Sequence, residues 1–511
     1  MVATDFTPYV TEWMERHLEL EKLLQQGEFQ PVLLHHYLCL IGPLFFTLMI
    51  SRQSAPFVLY LRYLAFAWTV FVGTWIIRTC RASFGGNGAF IGLGVSFIIM
   101  RAATLLIFRD PESEFRRLEK RYLPKRRTVK SASVVAPVEQ RHEFLVWQGY
   151  PSSFGHRLSW AIHLICSARG SHWNWRVRSS GPIPKAAREQ MLQSQPEPIS
   201  LQSVASDQVP GRVQDRLWYF LGVFAEQQLL IMLMEEFAAR DPYFLGHGDM
   251  DWQISFLSRT WSFSASSPIT RVCRTYLVAA GAKVWSVYAH AAAATILLAF
   301  YVAFPSIAHS LFPVPMNEAW MVPNATGPFS AVLDHGFVGL CGSYWHQNLR
   351  FDFLQWTGWV VSLFPTKSQT PALRSVAYTV VPFVVSAAMH ACGSYTQFAE
   401  TSPLGSMVSC ALVAAFGVGM QRIWLAIILP RAFPERQISP GIAKTANVVF
   451  AALVTLMVAT PFSNDIAAGG MYAHLAADFH RDVFAEIRPH NPSPIILWRG
   501  ETWWKSGIRV R

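Results

Sequence analysis

The chain has 511 residues, of which 52% are hydrophobic and only 15% charged, against a charged share of about 25% in soluble domains. That balance excludes a string of soluble domains and points to an all-α polytopic membrane protein. The net charge of +11 does not argue for nucleic acid, because the basic residues stand beside apolar segments, where the positive-inside bias of membrane proteins places them.

Residues 1–30 are polar and acidic (Glu12, Glu15, Glu19, Glu21, Glu28). They lack a basic stretch followed by an apolar core, so no cleavable signal peptide is expected and the first span should act as the anchor. Pro31–Ile50 is an apolar run long enough to cross a bilayer core of about 30 Å as a helix. Phe57–Ile77 and Ala89–Phe108 are the second and third spans, completing a three-span part over 31–108. They carry Arg62 and Arg101, for which structural roles are expected, with Arg62 snorkelling from near a helix end and Arg101 able to do so only partly.

Residues 109–215 read as a basic cytosolic loop with interfacial helices. Eight basic residues fall between Arg116 and Lys130 (Arg116, Arg117, Lys120, Arg121, Lys125, Arg126, Arg127, Lys130). They form either a solvated loop or a surface for anionic lipid or for the phosphates of a CoA donor. His142–Arg178 alternates Trp147, Trp160, Trp173 and Trp175 with Arg157, Arg169, Arg176 and Arg178, a pattern suited to helices lying in or re-entering the interface. Ser179–Pro210, rich in Ser, Gln and Pro, reads as a flexible loop.

Residues 216–462 form the membrane core. Its spans are Leu217–Phe237, spiked by Glu226, Gln227 and Gln228, then Ala279–Phe304, Ser375–Tyr395, Leu404–Leu429 and Ala446–Phe462. Pro305–Ser330 is a Pro-rich connection. Leu354–Phe364 is too short to cross and is taken as re-entrant or half of a broken helix. The fold expected is therefore about eight transmembrane helices plus re-entrant and interfacial helices around a reaction tunnel, with an amphipathic, aromatic-rich tail over 463–511.

Placing the Arg116–Lys130 loop in the cytosol puts the acidic N-terminal segment in the lumen and the Arg431/Arg436/Lys444 loop back in the cytosol. The basic C-terminal tail then falls in the lumen, against the charge rule. Asn324-Ala-Thr falls on the cytosolic side, which makes its sequon a chance match.

Two histidines stand out chemically. His390 lies in an apolar run from Ser375 to Cys392 that offers it no Asp, Glu, Lys or Arg partner, and an ionisable side chain at membrane depth is a functional candidate by default. Ser386 precedes it by one helical turn, on the same face. His346 lies in Leu340-Cys-Gly-Ser-Tyr-Trp-His-Gln-Asn-Leu-Arg350. The alternative for each is a neutral imidazole hydrogen-bonded to a neighbouring helix, and Trp345 and His346 could equally act as a structural plug in a broken helix.

Gly342-Ser-Tyr-Trp-His-Gln347, followed by Arg350 and Phe353, resembles the F-W-G-R-x-W-H-Q signature of the wax-synthase-like branch of membrane-bound O-acyltransferases. Ser386-Ala-Ala-Met-His390 resembles that family's S-G-L-x-H. Ser167-Ala-Arg-Gly-Ser-His-Trp-Asn-Trp175 is similar to the S-x-R-G-x-G-W-x-W element of its fungal members. Cys341 stands where the family has Trp, Ser343 replaces Arg, Ala387 replaces Gly and His172 replaces Gly; both histidines remain, and the differences bear on the shape of the acyl pocket.

The resemblance implies an acyl-CoA-dependent O-acyltransferase of the endoplasmic reticulum. The fungal branch acetylates lipophilic secondary metabolites such as terpenoids, and the third motif favours acetyl-CoA as donor. Transfer to an alcohol needs a base for the hydroxyl proton and a donor for the developing oxyanion. His390 is assigned as the base. His346, Gln347 and Asn348 are candidates to polarise the thioester carbonyl. Arg350 is a candidate for a CoA phosphate, and Trp345, Ser386, Arg169 and Trp173 are further candidates for binding substrate or acyl-CoA. No cofactor beyond the acyl-CoA co-substrate is expected. The partners implied are that donor, a lipophilic alcohol and membrane lipid.

Within the same class, a long-chain alcohol or sterol acyltransferase is the alternative. A proton-coupled transporter is the alternative of another class, although no internal repeat supports it. His247-Gly-Asp-Met-Asp251 and His474-Leu-Ala-Ala-Asp478 both fit the H-x-x-x-D pattern of soluble acyltransferases but lack its companion D-F-G-W-G element, and two unrelated matches show how common the pattern is. Seven cysteines are scattered without C-x-x-C pairs, so neither a disulfide framework nor a metal site is expected.

Overall fold

The computed structural model describes residues 7–52, 57–82, 87–122, 143–185, 187–189, 213–238, 241–256, 259–305, 307–308, 319–432, 439–470 and 496–509. Most of the expected Ser179–Pro210 loop, much of the basic run, the His474–Asp478 pattern and half of the tail therefore lie outside the described residues.

The first half contains α1 (Thr7–Gln26), α2 (Leu34–Met49), α3 (Val58–Thr79) and α4 (Asn87–Ala102, extended by a π-helical turn to Phe108). An antiparallel pair follows, β1 (Arg117–Tyr122) with β2 (Glu143–Gln148), and then α5 (Phe154–Cys166). The second half contains α6 (Val213–Ala238), a hairpin of β3 (Trp252–Phe256) and β4 (Arg259–Phe263), and the 36-residue α7 (Pro268–Ala303). It continues through α8 (Ser330–Gly339), α9 (Arg350–Ser362), α10 (Pro371–Tyr395), α11 (Pro403–Ile423, running on as helix to Ala432) and α12 (Pro440–Ala468). A short pair, β5 (Ile496–Trp498) with β6 (Gly507–Arg509), ends the described chain.

Among the described residues seven helices are long and apolar enough to cross a membrane: α3, α4, α6, α7, α10, α11 and α12. The shorter apolar α2 has 16 residues and rises about 24 Å. These are the eight segments expected from hydropathy. Several boundaries differ, most of all the start of α7, and α12 runs Pro440–Ala468, beyond the expected Ala446–Phe462 at both ends. Proline at the first helical turn is pre-organised for helix, and α7 begins at Pro268, well before Ala279. The extra turns carry Arg274 because its charge is neutralised: its guanidinium grips Asp241 at 2.6 and 2.8 Å, with both side chains buried.

Contacts between helix ends sort them onto two faces. On one face Gln30 N–H donates to the Thr79 carbonyl, joining the start of α2 to the end of α3. Thr396, just after α10, donates to the Gly88 carbonyl at the start of α4. Ser402 N–H reaches Asp465 at the end of α12, and Tyr243 donates to Asn464. On the opposite face Arg422 of α11 donates to Ser375 and Thr379 at the start of α10, and Lys444 of α12 faces Asp334 of α8 at 3.7 Å. Since α7 ends on the second face and α10 starts there, α8 and α9 enter and leave by that face as a re-entrant hairpin. The short Leu354–Phe364 segment is thus the descending arm, α9.

Charges inside the bundle are paired, as the low dielectric demands. Arg62 reaches Asp110 at 2.8 Å. Arg101 does not snorkel: it is 1% exposed and lies 3.3 Å from Asp352 while donating to the Ser167 carbonyl. Arg117, read as part of a solvated run, is fully buried in β1 and bound to Glu119, Ser159 and His163. Tertiary pairing thus turns the first part of that basic loop into a strand.

The described part of the tail lies on the side that counting the spans gives it. Arg509 makes a two-pronged ion pair with Glu21 of α1 at 2.7 and 3.0 Å, and His35 at the start of α2 bonds to the Trp504 carbonyl. The described basic tail therefore lies on the same face as the acidic α1, whose carboxylate compensates the charge that the positive-inside rule would count against it.

Candidate active site

The motif segment sits at the tip of the re-entrant hairpin, and its irregular backbone has identifiable causes. Gly336 adopts φ +56°, breaking α8. A broken helix leaves orphan N–H and C=O groups, which at membrane depth must be satisfied by protein. Gln421 of α11, 4% exposed, does this: its Oε1 accepts from Val338 N–H and its Nε2 donates to the His335 carbonyl. Asn447 of α12 donates to the Leu333 carbonyl. A Cβ on Gly336 would collide with that Gln421 amide.

Beyond the break, Leu340–Tyr344 form a π-helical turn, closed by Trp345 N–H on the Leu340 carbonyl. His346 then takes φ +52°, the one non-glycine residue in the left-handed region among the described residues. Such a backbone is costly for a side chain larger than glycine and is held only where the surroundings over-determine it. It reverses the chain, and Leu349 N–H on the His346 carbonyl starts α9.

The reversal brings His346 to His390, with ring centroids 6.2 Å apart. Both side chains are half-buried. His390 lies near the end of α10, which approaches α4 so closely that a Cβ on Gly92 would run into the Cys392 carbonyl. Edge-on rings complete the surround: Phe353 against His346 at 6.2 Å and Phe462 of α12 against His390 at 5.2 Å. Ser386 and His390 are one turn apart on α10, both half-buried.

The remaining predicted residues fall into two groups. Trp345, Gln347, Asn348 and Arg350 belong to the hairpin tip. The Gln347 amide donates to the Trp345 carbonyl, while its oxygen is buried without a hydrogen-bond partner. Arg350 opens α9, with Arg178 as a neighbouring cation. The other group supports the tip from the second face. Arg169 donates to the Asn324 carbonyl and to Ser179 at 2.9 Å, and burial followed by Arg176 holds it down to about 10. Arg216 and Arg176 hold the same loop through the carbonyls of Val322 and Trp320. That loop reaches the tip, where Gly327 N–H donates to the Tyr344 carbonyl. Trp173 is fully buried against Trp160, centroids 5.1 Å apart. Neighbouring His172 is held down to about 3 by burial, Arg117 and Arg176.

Three site residues escaped the sequence reading. Asp352 anchors the start of α9 through Arg101, and only the fold joins them. Phe462, taken as the end of a span, closes one side of His390. Lys283, a cation midway along α7, lies 5.8 Å from the Tyr344 ring centroid; a lysine within an apolar span was the signal available. The first H-x-x-x-D pattern is accounted for otherwise, since His247 contacts Glu12 at 3.0 Å and Asp251 accepts from Ala265 N–H.

Residues 322–412 match the family model of the membrane bound O-acyl transferase family. The matched stretch runs from the Val322 loop through the hairpin tip and His390 into α11, so it contains the two facing histidines. It supports membership of this family and, with the membrane-crossing helices, an acyltransferase embedded in a membrane. No curated protein and no solved structure matches the chain.

Proposed function

We propose that the protein transfers an acyl group, acetyl in the favoured case, from acyl-CoA to a hydroxyl of a lipophilic secondary metabolite such as a terpenoid, in the endoplasmic reticulum. The reading is supported foremost by the meeting of His346 and His390, 6.2 Å apart, at the tip of a re-entrant hairpin. The sequence likeness to the wax-synthase-like branch adds the donor and acceptor classes.

In this reading His390 takes the proton of the acceptor hydroxyl as the oxygen attacks the thioester carbon. His346, with Gln347 and Asn348, donates to the oxyanion that forms there. Collapse of that intermediate expels the CoA thiolate, which takes up the proton. Arg350, beside Arg178 toward the second face, meets a phosphate of the donor, and the ester leaves along the apolar path. Trp345 and Ser386 border the acyl group. Arg169 and Trp173 serve the donor by holding the loop that carries Gly327 and hence the tip.

The test is acyl transfer by purified protein in detergent, offered labelled acetyl-CoA or palmitoyl-CoA with a panel of alcohols. Labelled acetyl esters of polycyclic alcohols are the expected product. Transfer of palmitate to straight-chain alcohols in preference would replace this reading with wax-ester synthesis, and no transfer with any pair would reject it.

A further inference from the structure

Lys283 stands midway along α7. It lies about 22 Å of helix from the start and about 30 Å from the end, so its stem reaches neither end to snorkel. Tyr276 and His290 stand two turns before and two turns after it, on the same side of the helix. Tyr276 donates to the Ala452 carbonyl of α12 at 2.7 Å, and the His290 ring bonds the Pro323 carbonyl of the loop before α8 at 2.8 Å. That side of α7 thus faces the bundle interior, yet Lys283 is exposed. It borders open space inside the bundle.

That space adjoins the hairpin tip. The Lys283 ammonium lies 5.8 Å from the centroid of the Tyr344 ring, an arrangement in which the ring face attracts the cation. Tyr344 ends the π-helical turn, two residues before His346. Among the described residues no carboxylate pairs with Lys283 and no group hydrogen-bonds the Tyr344 hydroxyl. An ammonium held at membrane depth without a carboxylate marks a place where a substrate brings the opposite charge.

We infer that Lys283, together with the Tyr344 hydroxyl, binds a carboxylate on the acceptor, so that the preferred acceptors are lipophilic hydroxy acids. The inference rests on the acyl-transfer reading and adds the acceptor's second functional group. The donor does not supply this anion. Its phosphates are set off from the thioester by the pantetheine arm and fall to Arg350 and Arg178 toward the second face, while an acetyl group has no charged end. A neutral alcohol leaves the ammonium unmatched. A hydroxy acid places its hydroxyl at His390 and its carboxylate in charge-assisted hydrogen bonds to Lys283 and Tyr344.

The test offers the full-length protein in detergent acetyl-CoA together with a tritiated hydroxylated steroid carboxylic acid or its methyl ester. Wild type should use the acid with kcat/KM about tenfold above that of the ester. Lys283→Met, close in volume but uncharged, should erase that ratio by raising KM for the acid. Lys283→Arg should keep the ratio, and Tyr344→Phe should lower it about threefold. Equal use of acid and ester by wild type, or a ratio that survives Lys283→Met, would overturn the inference. A rise in KM for acetyl-CoA in Lys283→Met, in place of the acid, would assign the cation to the donor and overturn it as well. Equilibrium binding of the tritiated acid keeps the two readings apart. Acid that binds wild type about tenfold tighter than Lys283→Met, in a protein that transfers no acyl group, would support the site and overturn the transfer reading alone.

Discussion

Arg101 of α4 and Asp352 in the first turn of α9 meet at 3.3 Å, with the carboxylate fully buried. Removing one member of such a pair leaves an uncompensated charge, at about 3–5 kcal/mol. Asp352→Ala should therefore lower thermal stability in detergent by this amount, and Arg101→Met combined with Asp352→Leu should recover most of it. A double variant as unstable as the single one would show that the pair does more than neutralise charge.

His390→Ala should reduce transfer by about 10²–10⁴ while the protein still accumulates and inserts, since that is the usual cost of losing a general base. Turnover above a tenth of wild type would reject the assignment.

His346 combines an imidazole with φ +52°, and the two contributions separate by substitution. Alanine and glycine both remove the ring, but glycine adopts this backbone without strain, so His346→Gly should be more stable than His346→Ala by about 1 kcal/mol. Both should lose kcat with little change in acceptor KM. A rise in acceptor KM alone would place His346 along the acceptor path.

A single cysteine introduced in Ser131–Pro137 should react with an impermeant thiol reagent only from the cytosolic side of sealed microsomes, because that stretch adjoins the basic run. Labelling from the lumen alone would invert the topology and move the arginines beside the hairpin away from the compartment where acyl-CoA is made.

The spans were legible because crossing a bilayer requires long apolar helices, a requirement written into local composition. His346 and His390 were legible because imidazoles are conspicuous in apolar surroundings. Gln421 was not: its role depends on a backbone break in another segment, at Gly336, which no periodicity encodes. The pairing of Arg117 with Glu119 inside a strand, and of Arg509 with Glu21, was hidden for the same reason, since a charge reads as solvated until its partner is known.

The clasp between the tail and α2 bears on the order in which the molecule can be completed. Leu33 bridges to Arg509, and His36, fully buried, packs its ring against Trp75 and Trp504 at 5.0 and 5.2 Å. α2 is thus sealed by a strand synthesised after the seven described spanning helices have emerged. Until then His36 and Trp75 lack the ring that covers them, Trp504. The burial of His36 beside α2 therefore waits on the last described strand of the chain.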